Sequence, residues 1–343
     1  MTPARFQAIT ARYPGLTIAI AGDFCLDRYL EIDPTLAETS IETGLPVHNV
    51  VRVRAQPGGA GTVLNNLVAL GVGRIVPIGF CGDDGEGYEL RRSLAAKPGV
   101  SLDHFVTTEV RRTFTYCKPL VCEPGKDPVE LNRLDSKNWT ATPPALADRL
   151  ATGLRAVAPD LDALIVLEQV DRAETGVVTR HLLDVLGTLA AERPRLPILA
   201  DSRRGLAGWP GLNFKMNRAE LAALAGSEVA GSIDRVRSAA ADLAGRNRRP
   251  IFVTLAEQGI VAASPDCSVE HAPALPVRGP IDIVGAGDAV TSNLAAALSS
   301  GGSLHEAIEL AAFASSVVIH QLGTTGTATV ADLEALRAQT PAS

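Results

Sequence analysis

Short apolar runs alternate along most of the chain with longer stretches in which apolar residues recur at helical spacing. Residues 16–21, 74–80, 163–167, 197–201 and 250–254 read as buried strands, with helical segments between them. Pro57-Gly58-Gly59-Ala60-Gly61 opens a helix through Leu64, Leu67 and Val68, closed by Gly71. Ser303-Leu304-His305-Glu306 is a capping-box signature for a helix running to about His320. Strands alternating with helices predict a mostly parallel sheet with helices on both faces, as one α/β domain over residues 1–343.

Two segments break this rhythm, approximately 24–56 and 104–135. Both have few helical repeats and several β-branched residues, with Pro34 and Pro46 as breaks in the first and a Glu-Pro-Gly-Lys-Asp turn in the second. They are expected to pair into a small side sheet. The first thirteen residues carry two Arg and no acid but lack the apolar core of a signal peptide, so they read as a surface helix.

Composition removes several function classes. Hydrophobic residues are 46% and charged residues 20%, enough for a sizeable core. A net charge of −6 and an aromatic content of 4% argue against nucleic acid as the main partner, which needs basic surface and stacking platforms. No apolar run is long enough to span a membrane, so no membrane partner is expected. The five cysteines show no Cys-x-x-Cys pairing and the six histidines are scattered, which suits reduced thiols in a cytoplasmic setting.

The chemistry concentrates at 280–290. A short apolar segment ends at Val284, Gly285-Ala286-Gly287 follows, and Asp288 stands at the start of a helix with Val290, Leu294, Ala297 and Leu298 on one face. Glycines and unpaired first-turn amides make an anion site. A carboxylate there makes sense if Asp288 takes a proton from a hydroxyl while the amides hold the phosphoryl group which that hydroxyl attacks. The alternative is a tight turn with Asp favouring the helix dipole. No Gly-x-x-x-x-Gly-Lys-Ser/Thr occurs, and Gly59-x-Gly61 continues to Leu64 where a dinucleotide fingerprint needs Gly or Ala.

Gly285-Ala286-Gly287-Asp288 late in the chain, Gly58-Gly59 early and Asn217-Arg218-Ala219-Glu220 between them resemble the ribokinase-like (PfkB) carbohydrate kinases, in the same order and over nearly the whole chain. Residues 22–29, 57–60, 131–135 and 322–324 add a resemblance to the bacterial D-glycero-beta-D-manno-heptose 7-phosphate kinases. The resemblance implies a three-layer α/β/α sandwich with a β-sheet lid from 24–56 and 104–135. It implies ATP-dependent transfer of the γ-phosphoryl group to a sugar or sugar phosphate, with a fructose, ribose or nucleoside acceptor, or a non-catalytic sensor, as alternatives. Asp288 matches the catalytic base, and Gly285, Ala286 and Gly287 match the hole for the transferring group. Asp282 matches the acid that opens this motif. Asn217 and Glu220 match the pair that orders Mg2+ and the phosphates, although Asn-x-x-Glu is also a helix capping box. Thr254, Glu257, Gly259 and Gly323 match positions that the resemblance places near the nucleotide.

On the acceptor side, Asp23, Asp27, Gly58, Gly59 and Asn66 match sugar-contacting positions, and Arg112 and Arg133 in the expected lid could meet a substrate phosphate. In that family such lids often pair two subunits, so the resemblance implies a homodimer through the lid. The sequence also departs from the family. Ile283 and Val284 replace the usual Thr before the first Gly, which bears on a K+ site. Thr62 replaces an Asn, Ala256 replaces a Gly, and Glu168-Gln169-Val170 stands where heptose kinases carry Ser-Asp-Tyr.

Overall fold

A computed structural model describes residues 1–339. A nine-stranded sheet forms its centre, in the spatial order Val269–Ala272, Ile260–Ala263, Ile251–Thr254, Asn213–Asn217, Ile198–Ser202, Ala163–Glu168, Thr17–Gly22, Arg74–Gly82 and Phe105–Thr108. All pairings are parallel except the two involving Ile260–Ala263, which form an antiparallel edge. Every residue of Ala163–Glu168 is buried, as expected for a central parallel strand covered on both faces.

Alternation along the strands splits the interior into two cores. Ile18, Ile20, Ile165 and Leu199 face the helices Ala60–Ala69, Ala286–Ser299 and Leu304–Val318. Ala19, Ala21, Leu164 and Ile198 face Pro144–Val157, Arg180–Glu192 and Ile233–Asn247. The α/β sandwich read from the sequence is what the chain forms. The capping box at Ser303 and Glu306 is present, with both reciprocal hydrogen bonds.

A second, four-stranded sheet has the order Val50–Gly59, Phe24–Ile32, Phe114–Val121 and Val129–Glu130. Its strands come from both irregular segments, but not with the expected bounds. Phe105–Thr108 pairs with Arg74–Gly82 and so belongs to the large sheet, and Phe105 packs edge-on against Phe24 with ring centroids 5.3 Å apart. The first segment stays extended through Gly59. The N-terminal helix Pro3–Thr10 is also less superficial than expected, because Phe6 and Ile9 are fully buried in the first core. Among the described residues, no helix is long and apolar enough to cross a membrane.

Candidate active site

The helix Ala286–Ser299 enters the core directly beneath the C-terminal edge of the parallel strands, where α/β folds place ligands. Gly285 takes φ +84° to turn the chain into it, a conformation that favours glycine. The Asp282 carboxylate orders the approach by accepting from the Val284 amide at 3.0 Å. Thr291, Ser292 and Asn293 are buried, and each donates to a carbonyl four residues back, while Asn293 Oδ1 is left without a partner. The amides of Gly287 and Asp288 have no backbone acceptor among the described residues, which leaves two donors aimed past the helix start.

Burial of the partly accessible Asp288 raises its carboxyl to about 7. Lys215 pulls it down, while Asp201 and Asp27 push it further up. A carboxyl poised there can be ionised at neutral pH and still be basic enough to accept a proton. Lys215 donates to Asp201 at 2.7 Å, and both side chains are largely buried. Burial alone would lower the lysine, but Asp201, Asp288 and Glu220 outweigh it and leave Lys215 above its ordinary value. A Cβ built on Gly287 would lie 3.1 Å from the Lys215 ammonium, so the charge sits against the glycine turn.

The sequence reading singles out neither residue: Asp201 ends a predicted strand without a visible partner, and Lys215 lies at 213–217, where it places no strand. The signal was there: Phe214 and Met216 flank the lysine, and all three are buried.

The small sheet carries the side expected to meet the acceptor. Asp27, Tyr116 and Gln56 are in register, as are Tyr29, Lys118 and Arg54, so these side chains share one face. Burial raises the Asp27 carboxyl while Lys118 and Arg133 draw it down. Arg133 lies over the Tyr116 ring at 4.9 Å, and Arg203 faces the same tyrosine. Gly58 is required here, because a Cβ would come within 2.5 Å of Asp27 Oδ2. Gly59 takes φ +57° to start the helix Ala60–Ala69.

Three expected acceptor contacts are placed otherwise. Asp23 is buried, and its two oxygens accept from the amides of Gln169 at 2.8 Å and Val177 at 2.7 Å. Burial still raises it to about 6, and its two bonds tie it to the 169–177 loop. Asn66 is fully buried and donates to the carbonyls of Thr62 and Gly326, so it ties the helix to the 321–327 loop. Arg112 is 65% exposed and pairs with Glu86 at 3.7 Å, away from the Asp27 face. Its neighbour Arg111 holds the carbonyls of Thr140 and Ala141.

On the nucleotide side, Asn217 and Thr254 end adjacent parallel strands in register. Asn217 and Glu220 form the capping box: the Glu220 amide donates to Asn217 Oδ1 at 2.9 Å and the Asn217 amide to Glu220 Oε2 at 2.7 Å. The cap leaves one Glu220 oxygen uncommitted, and this carboxyl is raised chiefly by burial and then by nearby Asp201. No group of three His, Cys, Asp or Glu able to hold a metal occurs among the described residues. That donor set suits a magnesium ion bound mostly by phosphates and water. Gly259 has a structural reason for being glycine: φ is +88° and a Cβ would meet the Ala272 carbonyl at 2.0 Å. Glu257 is exposed in the same turn, and Gly323 turns the 320–327 loop at φ +71°. That loop reaches both halves of the site, since Gln56 of the small sheet donates to Thr325 at 2.9 Å and Thr325 packs beside Gly285.

Residues 198–330 match the family described as pfkB family carbohydrate kinase, a span that includes Asp201, Lys215, Asn217, Glu220 and Gly285 to Asp288. Over those residues the chain matches a PfkB domain. Curated relatives of this chain include the bifunctional protein HldE of Hyphomonas neptunium, 30% identical over 329 residues, and that of Azorhizobium caulinodans, 31% identical over 328. Each alignment covers 95% of this chain but only 64% and 65% of the relative, so the chain spans a little under two thirds of their length. Its fold is shared by Escherichia coli phosphofructokinase-2 in complex with substrates and products, with TM-score 0.69, 19% identity, and 94% and 99% of the two chains covered. It is also shared by Arabidopsis thaliana ribokinase complexed with ribose and ATP, with TM-score 0.64, 17% identity, and 94% and 98% covered. The chain is therefore ribokinase-like in fold.

Proposed function

We propose that this chain is an ATP-dependent sugar kinase that moves the γ-phosphoryl group of ATP to a hydroxyl of a sugar phosphate, with heptose 7-phosphate the first acceptor to test. The observation that carries the reading is Asp288, a carboxyl raised to about 7 at the mouth of a helix whose first amides are open. Asp288 accepts the proton of the attacking hydroxyl, and the Gly287 and Asp288 amides hold the transferring group. The acceptor lies between this helix and the small sheet, with Asp27 on its hydroxyls and Lys118 and Arg203 near its phosphate, which Arg133 reaches by leaving its ion pair with Asp135. Asn217 and Glu220 are the residues that would hold Mg2+, and that ion would neutralise phosphate charge when bound. ATP runs from there past Thr254 and Glu257 towards the 320–327 loop.

The small sheet acts as a lid that excludes water, a competing phosphoryl acceptor. Val51, Val53, Leu36 and Ile41 are exposed apolar side chains on and beside this sheet, and we assign them to a homodimer contact. We place the reaction in the cytoplasm, consistent with five free cysteines. Potassium belongs in the assay as a variable, because one of the fold relatives is a phosphofructokinase-2 in complex with potassium.

The test is kcat/KM for free and phosphorylated forms of each accepted sugar. Arg133→Ala should lower the value for the phosphorylated form by roughly 10- to 100-fold and spare the free form, since a charged hydrogen bond is lost. Arg112→Ala should leave both within about threefold, in line with its exposed pairing. Preference for the free sugar, or equal losses for both forms, would point to a plain sugar kinase.

A further inference from the structure

Lys215 is a buried cation with capacity to spare. Its ammonium has three donors, and Asp201 is its one hydrogen-bonding partner among the described residues. The ammonium is pressed against Gly287, the residue whose free amide opens the helix. It is also the leading charge opposing the burial of Asp288. An ion pair serving stability alone gains nothing from standing beneath a glycine turn whose amides point into the same space. A buried charge pair is in any case weak grounds for stability.

We propose that Lys215 is a phosphoryl-binding residue: with the amides of Gly287 and Asp288 it grips the group being transferred, and Asp201 is the positioning residue that holds it there. This rests on the kinase reading above and sharpens it. The base must lie next to the hydroxyl that attacks the γ-phosphorus, so a cation shared by Asp288 and the helix mouth meets the γ-phosphoryl group rather than the α or β groups. A Lys carries a compact charge with rotatable donors, so it can follow the group as it leaves ATP. Asp201 keeps the ammonium from swinging onto Asp288 and neutralising the base.

The experiment compares two ligands that differ only at the γ position. ADP and β,γ-imido-ATP are titrated calorimetrically, with magnesium, into the parent, Lys215→Met and the double variant Asp201→Asn/Lys215→Met. Lys215→Met leaves Asp201 buried without its partner and could unfold. The double variant removes both charges and remains informative, with folding checked by circular dichroism. The expected result is that affinity for β,γ-imido-ATP falls roughly 10- to 100-fold in either folded variant while affinity for ADP stays within about threefold, the loss of one charge-assisted contact. Equal losses for both nucleotides, or no loss for either, overturn the assignment and leave Lys215 a structural ion. If the parent binds neither nucleotide, the kinase reading fails first and takes this inference with it.

Discussion

Asp288→Asn should make the protein more stable, by an amount that grows with pH. Burial holds the Asp288 carboxyl at about 7, against 3.8 for an ordinary aspartate, so the folded chain binds this proton more tightly than the unfolded chain. Stability contributed by the bound proton is fully present below the unfolded value and lost as pH rises towards the folded one. The gap corresponds to about 4 kcal/mol at full ionisation. Working the linkage through with these two values gives a cost of about 2 kcal/mol at pH 5 and about 4 kcal/mol at pH 8. Asn has nearly the same shape and never ionises, and Lys215 keeps Asp201 as its partner. The Asn variant should therefore gain about 2 kcal/mol more over the parent at pH 8 than at pH 5. Urea titrations of both proteins at the two pH values measure this, with the slope required to match between them. An equal difference at pH 5 and pH 8 would refute the claim that the fold raises this carboxyl.

Other perturbations separate the halves of the site. Gly58→Ala puts a Cβ within 2.5 Å of Asp27 Oδ2, and should raise KM for the acceptor at least about tenfold with nucleotide affinity unchanged, by displacing a side chain that positions it. Steady-state kinetics with each substrate varied decides it. Glu220→Gln keeps the capping box but loses the charge, so it should raise the magnesium needed for half-maximal rate while the melting temperature hardly moves. A fall in stability alone would leave Glu220 as a cap. Val51→Glu with Val53→Glu should convert a dimer to monomer in sedimentation velocity, and an unchanged mass would remove the small sheet from the interface.

The frame was legible because its signals are local. The apolar run at 163–167 is buried throughout, and Gly285, with its positive φ, opens the helix at the position the sequence gives it. The strand Asn213–Asn217 was hidden because a lysine interrupts its apolar pattern, and that lysine is buried only through pairing with an aspartate distant in sequence. Asp23 and Asn66 are expected as ligand contacts only through their match to sugar-contacting positions of the family. In the fold, most of their polar atoms bond to backbone amides and carbonyls of other segments, which no single stretch of sequence reveals. Arg112 and Arg133 looked equivalent as basic residues of one irregular segment. Only the pairing of strands shows that Arg133 lies over Tyr116, on the face of Asp27, while Arg112 turns towards Glu86. Phe105–Thr108 was misassigned for the same reason, since a four-residue strand carries no mark of which sheet it joins.

Phosphorus NMR of the protein mixed with ATP, magnesium and a panel of sugars and sugar phosphates tests the central claim most directly. The parent should convert the γ-phosphorus resonance of ATP into that of a new phosphate ester on at least one acceptor. Asp288→Asn, with its fold and ATP binding intact, should do so at least about a hundredfold more slowly, the lower end of a general-base effect. Ester formation by the Asn variant within a few-fold of the parent would take Asp288 out of the reaction. Tight sugar binding with no ester formed by the parent would make the chain a sensor rather than a kinase.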